Sequence, residues 1–193
     1  MDDVERGRKL KKTRGKILLV STMLLIAVLC VNYNRIERRF YPVKYSQYVE
    51  YYSNQYHIDK YLVYSIIKTE SKFNPEAVSS KGAAGLMQIT DVTAGWAKKE
   101  LKLKDVDVHD PETNIKIGTW YLSSLNKEFK GDLHLIISAY NGGSGNVRKW
   151  LQSSEYSADG KSLSQIPFKE TSQYTDKVLR NYRKYRELYI GYR

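Results

Sequence analysis

Apolar residues recur every three to four positions along most of this chain, the spacing that gathers them on one face of an α-helix. The pattern predicts a run near 44–56, a second helix opening at Asp59, a third near 91–100, a fourth after Asp110-Pro111-Glu112, a fifth after Gly131-Asp132 and a long last one from about Thr171. Asp110 suits an N-cap, and Pro111 suits the first helical position because it has no backbone N–H to leave unpaired. Asp132 follows Gly131 at a break between helices. Alternation with period two is nearly absent, so the fold class is mainly α. Residues 79–85 hold too much serine and glycine for a helix interior, and 153–164 are polar enough for an exposed loop. No repeat and no Pro/Gly/Ser-rich linker divides residues 45–193, a length suited to one core.

The N-terminus follows another rule. Residues 17–34, ILLVSTMLLIAVLCVNYN, are uncharged and as a helix would reach about 27 Å, close to the roughly 30 Å hydrocarbon core of a bilayer. Lys16 and Arg35 can snorkel at its ends, and Tyr33 suits an interface. Arg6, Arg8, Lys9, Lys11, Lys12, Arg14 and Lys16 precede this run, against Arg35, Arg38 and Arg39 soon after it. That bias predicts a cytoplasmic N-terminus and an extracytoplasmic C-terminal domain. The expected order is a basic cytoplasmic segment (1–16), a single transmembrane anchor (17–34), a linker (35–44) and one folded domain (45–193). A cleaved signal peptide is the rival. No A-x-A-like site follows the apolar run, and Leu29 is too bulky before Cys30 for a lipoprotein cleavage site, so an uncleaved anchor in the cell membrane is preferred. Cys30 then reads as a small apolar residue of the span.

Charge and composition narrow the chemistry. Lys and Arg number 32 against 21 Asp and Glu, a formal charge of +11. Residues 1–16 hold seven basic and three acidic side chains, +4, which leaves +7 beyond them. A basic external domain faces wall polymers and lipid headgroups rather than nucleic acid, and no interleaved basic and aromatic nucleic-acid motif is present. Cys30 is the one cysteine, and His57, His109 and His134 are scattered, so neither a disulfide framework nor a clustered zinc site can be written. Chemistry must come from carboxylates, hydroxyls and amides, with no metal or organic cofactor expected.

One carboxylate stands out. On the helix from Asp59, Leu62, Val63, Ile66 and Ile67 form an apolar stripe, and Glu70 falls on the same face. A carboxyl turned toward the core is partly desolvated, which disfavours its charge and raises its pKa into the range of a general acid. The competing reading turns Glu70 outward, paired with Lys68 or Lys72. Ser71-Lys72-Phe73-Asn74-Pro75 ends the helix, and the glycines at 82 and 85 beyond it permit close backbone approach to a ligand.

The string from Glu70 to Ile89, ESKFNPEAVSSKGAAGLMQI, resembles the signature of lytic transglycosylases of the goose-type-lysozyme-like superfamily. Ala139-Tyr140-Asn141-Gly142-Gly143 and Glu170-Thr171-Ser172-Gln173-Tyr174 resemble that family's two later blocks, in order. The resemblance spans most of residues 57–185. It implies a lysozyme-like α domain, here behind a single transmembrane helix, acting on the β-1,4 bond between N-acetylmuramic acid and N-acetylglucosamine in peptidoglycan glycan strands. It further implies that Glu70 protonates the glycosidic oxygen and then, as carboxylate, takes the proton of the muramic C6 hydroxyl, leaving a 1,6-anhydro end. By the same resemblance Ser79 and Gln88 hydrogen-bond sugar N-acetyl or hydroxyl groups, and Met87 offers a flat apolar contact. Tyr140 and Asn141 sit across the cleft, the Tyr140 hydroxyl near Glu70 or the N-acetyl carbonyl, Glu170 supports the cleft or Tyr174 from behind, and Tyr174 counts with them among the substrate-binding residues.

Structural readings stand beside these: Met87 as core, Gly142 as a left-handed helix terminator, Glu170 as a favourable charge at a helix N-terminus. Glu76 reads as solvated. Tyr174, Tyr182, Tyr185 and Tyr189 read mostly as packing, as do Trp96, Trp120 and Trp150, of which Trp150 is expected nearest the cleft. Two rival functions remain. A goose-type lysozyme would use the same Glu70 but position a water with further acids, for which Asp91, Asp105, Asp107 and Asp110 are candidates. A peptidoglycan-binding scaffold module would hold glycan without cutting it. No segment for a partner in the envelope machinery is legible.

Overall fold

The computed structural model describes residues 2–190 and divides into two units, Met1–Pro42 and Val43–Arg193. The first is a single helix, α1 (Asp3–Phe40). Its stretch Lys11–Tyr33 contains an 18-residue segment of mean hydropathy 2.1 and is long and apolar enough to cross a membrane. Ser21 and Thr22 return their hydroxyls to the Leu18 carbonyl, and the Asn32 amide donates to Val28, so these polar groups are satisfied within the helix. The side chain of Cys30 lies outside the described residues. α1 runs on through much of the expected linker, because residues 35–40 hold no helix breaker. It stops short of Pro42, whose ring disfavours α geometry in the residue before it.

The second unit consists, among the described residues, of seven helices: α2 (Ser46–Tyr56), α3 (Lys60–Glu70), α4 (Asp91–Glu100), α5 (Pro111–Glu128), α6 (Leu133–Gly142), α7 (Ser144–Leu151) and α8 (Lys169–Ile190). The caps follow the sequence chemistry. Asp59 accepts from the Tyr61 N–H, Asp110 from Thr113 and Asp132 from Leu135, at 2.8, 2.8 and 3.0 Å. α7 was not expected, because its eight residues follow a Gly-Gly pair and bury only Val147 and Trp150. The terminator of α6 is Gly143 (φ +85°) rather than Gly142. Gly142 is helical, and its lack of a side chain serves packing: a Cβ there would lie 3.1 Å from Thr171 and 3.3 Å from Trp150.

α6 carries the most continuous apolar run and lies between α5, α7 and α8. Ile66 and Ile67 of α3, Ile115, Ile117 and Leu122 of α5, Ile136 and Ile137 of α6 and Tyr185 of α8 are fully buried in the core. α8 lies antiparallel beside α3. Tyr174 reaches Glu70 at one end, Tyr185 stacks on Tyr64 at 5.6 Å, and Tyr189 stacks on Tyr61 at the other end. The tyrosines of α8 are therefore largely packing residues with placed hydroxyls, Tyr182 donating to Asp59 at 2.7 Å. Between α3 and α4 the chain forms a tight loop held by isolated bridges, Val78 to Ala84 and Ala84 to Ile89.

Candidate active site

The end of α3 is built to stop at Glu70. Ser71 donates its hydroxyl to Leu86 (2.8 Å) and Ile67 (3.2 Å), tying the helix end to the following loop. Lys72 and Phe73 then take left-handed backbone conformations (φ +53° and +67°), a costly pair for residues with side chains, and the buried Phe73 ring secures the reversal. Glu70 thus lies at the C-terminal end of a helix, where the backbone dipole opposes a negative charge.

The carboxyl opens onto a cleft of about 250 Å³ lined by Ser79, Gln88, Thr90, Tyr140, Asn141 and Glu170 among others. Its contact is with α8, not with Lys68 or Lys72: the Tyr174 hydroxyl donates to Glu70 Oε1 at 2.7 Å. Burial pushes the Glu70 pKa up from 4.5 to about 7. The Tyr174 bond and the Lys177 charge pull it down, and the Glu170 charge adds to the rise. Tyr174 and Tyr140 are themselves held well above the ordinary phenol value by burial and by the Glu70 charge, so both remain donors.

The loop facing Glu70 hangs on Asn114 of α5, which sequence reasoning missed. Its Oδ1 accepts from the Met87 N–H at 2.8 Å, and its Nδ2 donates to Ala84 (3.0 Å) and Val108 (2.7 Å). Gly85 (φ +79°) passes so close to Asn114 and the Val108 carbonyl that a Cβ would overlap both. The available signal was a wholly buried amide in the apolar run Asn114, Ile115, Ile117.

Each expected site residue has a definite place. Ser79 Oγ accepts the Lys81 and Ala83 N–H groups at 3.3 and 3.0 Å. The Gln88 amide donates to Ala77 and Gly85, both at 2.9 Å. Asn141 Oδ1 accepts from Thr171 at 2.8 Å. Met87 departs from expectation: its side chain is fully buried, with its sulfur where a Cβ on Gly118 would have to sit, so it fills the core and offers no face to a sugar. Tyr140 lines the cleft with Glu70, whose charge acts on its phenol, and its hydroxyl donates to the Met87 carbonyl at 2.9 Å. Glu170 lies exposed on the rim and pairs with Lys81 at 3.3 Å, while the Tyr174 hydroxyl is committed to Glu70. Trp150 is buried under Phe168, and the exposed tryptophan is Trp96.

Asp91, Asp105, Asp107 and Asp110 do not reach the cleft. Asp110 caps α5, Asp107 accepts from the His109 N–H at 2.8 Å, and all four are exposed. Glu76 is exposed, 3.5 Å from His109. Among the described residues the acids on the cleft are Glu70 and Glu170, and no cluster of His, Cys, Asp and Glu suited to a metal ion occurs.

Comparison with known proteins identifies the family of the domain that carries this cleft. The chain is 35% identical over 164 residues to the soluble lytic murein transglycosylase of Escherichia coli K12, covering 82% of this chain and 25% of that one. It is 37% identical over 145 residues to membrane-bound lytic murein transglycosylase C of Photorhabdus laumondii, covering 69% and 39%. A lytic transglycosylase of Pseudomonas aeruginosa, solved as an inactive mutant with glutamine in place of a glutamate, superposes with a TM-score of 0.68 at 29% identity, over 76% of this chain and 24% of that one. The chain thus spans about a quarter of the soluble relatives' length and about two fifths of the membrane-bound one's. Residues 47–163, which include Glu70 and most of the wall of its cleft but not α8, match the family model described as the transglycosylase SLT domain, so the chain belongs to the transglycosylase SLT domain family.

Proposed function

We propose that this protein is a lytic transglycosylase of peptidoglycan, cutting the bond between N-acetylmuramic acid and N-acetylglucosamine and closing a 1,6-anhydro ring on the muramic residue. The observation that carries this is Glu70, a carboxyl desolvated at a helix C-terminus, hydrogen-bonded by Tyr174 and open to a cleft. Protonated near neutral pH, it gives its proton to the glycosidic oxygen as the bond to C1 breaks. The resulting carboxylate takes the proton of the C6 hydroxyl while O6 bonds to C1. The proton balance closes with no water consumed, and no second carboxylate is needed as nucleophile. Tyr174 holds Glu70 in one rotamer through both steps.

The committed hydrogen bonds support roles for the remaining polar ends. Ser79 already accepts two backbone N–H groups, so its hydroxyl proton faces the sugar. Gln88 has spent its amide protons, which leaves its carbonyl oxygen to accept an acetamido N–H, and Asn141 has spent its carbonyl oxygen, which leaves its amide protons to donate. The uncharged run 17–34 within the candidate span Lys11–Tyr33 and the basic residues before that run support a single-pass anchor with the catalytic domain outside the cell membrane. Protease treatment of intact cells would then remove the domain and leave a membrane-bound stub.

Mass spectrometry of fragments released from purified peptidoglycan by the detergent-solubilised protein, beside Glu70→Gln, tests the reaction. Anhydro ends made only by the Glu70 form are expected. Reducing ends, one water heavier, would make the enzyme a hydrolase and point to Glu170 as the group that places water. Intact binding without release by either form would favour the scaffold module.

A further inference from the structure

The cleft around Glu70, about 250 Å³, is small for a polymer substrate, and an aromatic surface adjoins it that the chemistry above does not use. α4 begins at the cleft, where its N-cap Thr90 forms part of the wall. Along the same helix Val92 is 84% exposed and Trp96 44% exposed. They are spaced four residues apart and so share one face. Trp96 is not a loose surface side chain: Trp120 meets it edge-on at 4.7 Å and Tyr121 at 6.0 Å, both from α5. Tyr121 in turn contacts Tyr140 at 5.5 Å, and Tyr140 lines the cleft. An unbroken series of ring contacts therefore runs from the catalytic cleft to an exposed indole.

We propose that Trp96 is a stacking platform for a further hexosamine ring of the same glycan strand, outside the cleft that holds the bond to be cut. The proposal rests on the transglycosylase reading above. About 9 Å of helix rise, the reach of a sugar unit or two, separates the levels of Thr90 and Trp96, and the Tyr140 and Tyr121 rings bridge the change of face between cleft and indole, so one strand can occupy both places. The chemistry fits. One face of a β-linked pyranose presents C–H groups of slight positive charge, which match the negative face of an indole. Trp120 and Tyr121 brace Trp96 edge-on, so little side-chain freedom is lost on binding. Continuity with the cleft identifies the occupant as glycan rather than lipid or a second protein. The platform makes Trp96 a residue for strand-length preference, remote from the bond chemistry.

The test uses the full chain in detergent with Glu70→Gln to prevent turnover, and two probes, the dimer and the hexamer of β-1,4-linked N-acetylglucosamine. Binding is followed by calorimetry and by tryptophan emission. Trp96→Ala should weaken the hexamer about tenfold and leave the dimer unchanged, and Trp96→Tyr, which keeps an aromatic face, should restore most of the loss. Hexamer binding should shift the emission of the parent toward the blue and leave that of Trp96→Ala unmoved. Equal hexamer affinities in parent and Trp96→Ala, or equal losses for dimer and hexamer, overturn the proposal alone. If the parent binds neither oligomer, the glycan reading fails and this proposal with it. A change of oligomeric state in Trp96→Ala with hexamer binding intact assigns the face to a second copy and also overturns it.

Discussion

Replacing Glu70 by Gln should stabilise the fold, and by an amount that depends on pH in a calculable way. A carboxyl whose pKa is 4.5 in the unfolded chain and about 7 in the folded one binds more protons folded than unfolded between those values. Stability therefore falls as pH rises through that window, with no penalty below 4.5 and the full penalty above 7. The full penalty is about 3 kcal/mol, from the difference between the two pKa values at ~1.4 kcal/mol for each tenfold change in the equilibrium. Glutamine keeps the shape and the acceptor for the Tyr174 hydroxyl but carries no charge to desolvate. Urea unfolding of both proteins at pH 4 and pH 8 isolates the effect, because all other titrations cancel in the difference. Glu70→Gln should gain about 3 kcal/mol more over wild type at pH 8 than at pH 4. A difference independent of pH would refute the desolvation argument, and a variant less stable at pH 8 would reverse its sign.

Three further outcomes are expected. Tyr174→Phe removes the bond that pulls the Glu70 pKa down, so the alkaline limb of the pH–rate profile should move upward while the maximal rate falls. Glu170→Gln removes a like charge and should move that limb downward, and unchanged anhydro products from this variant would exclude Glu170 as a base for water. Asn114→Ala leaves the Met87 N–H and the Val108 carbonyl without these partners and removes one of the two bonds to the Ala84 carbonyl, and should cost about 3 kcal/mol in denaturant unfolding.

Much of this was legible from local pattern. Asp59, Asp110 and Asp132 mark their helix starts because a cap is satisfied within three residues of itself, and all three cap as read. Glu70 showed itself as a charge on an apolar stripe, which helix geometry alone turns inward. α7 was missed because Val147, Trp150 and Leu151, though spaced as on a helix face, make too short a run after a Gly-Gly pair, and tertiary burial of Val147 and Trp150 supplies the reason for the helix. The glycines were misassigned by one position: both satisfy the sequence rule, and contact with Thr171 and Trp150 decides that Gly142 is the helical one.

The sequence by itself determined the helical class, the charge-free N-terminal run, the carboxyl at position 70 and the order of the motif blocks. These depend on residue type and on separations within a helical turn or two. Only the tertiary structure decided what each motif residue touches. Met87 turned into the core while its carbonyl took the Tyr140 hydroxyl, Tyr174 crossed from α8 to Glu70, and Trp96 rather than Trp150 stayed exposed. Glu70 and Tyr174 are 104 residues apart in the chain and 2.7 Å apart in the fold. No local preference encodes such a contact, since it follows from how α3 and α8 pack along their shared apolar faces.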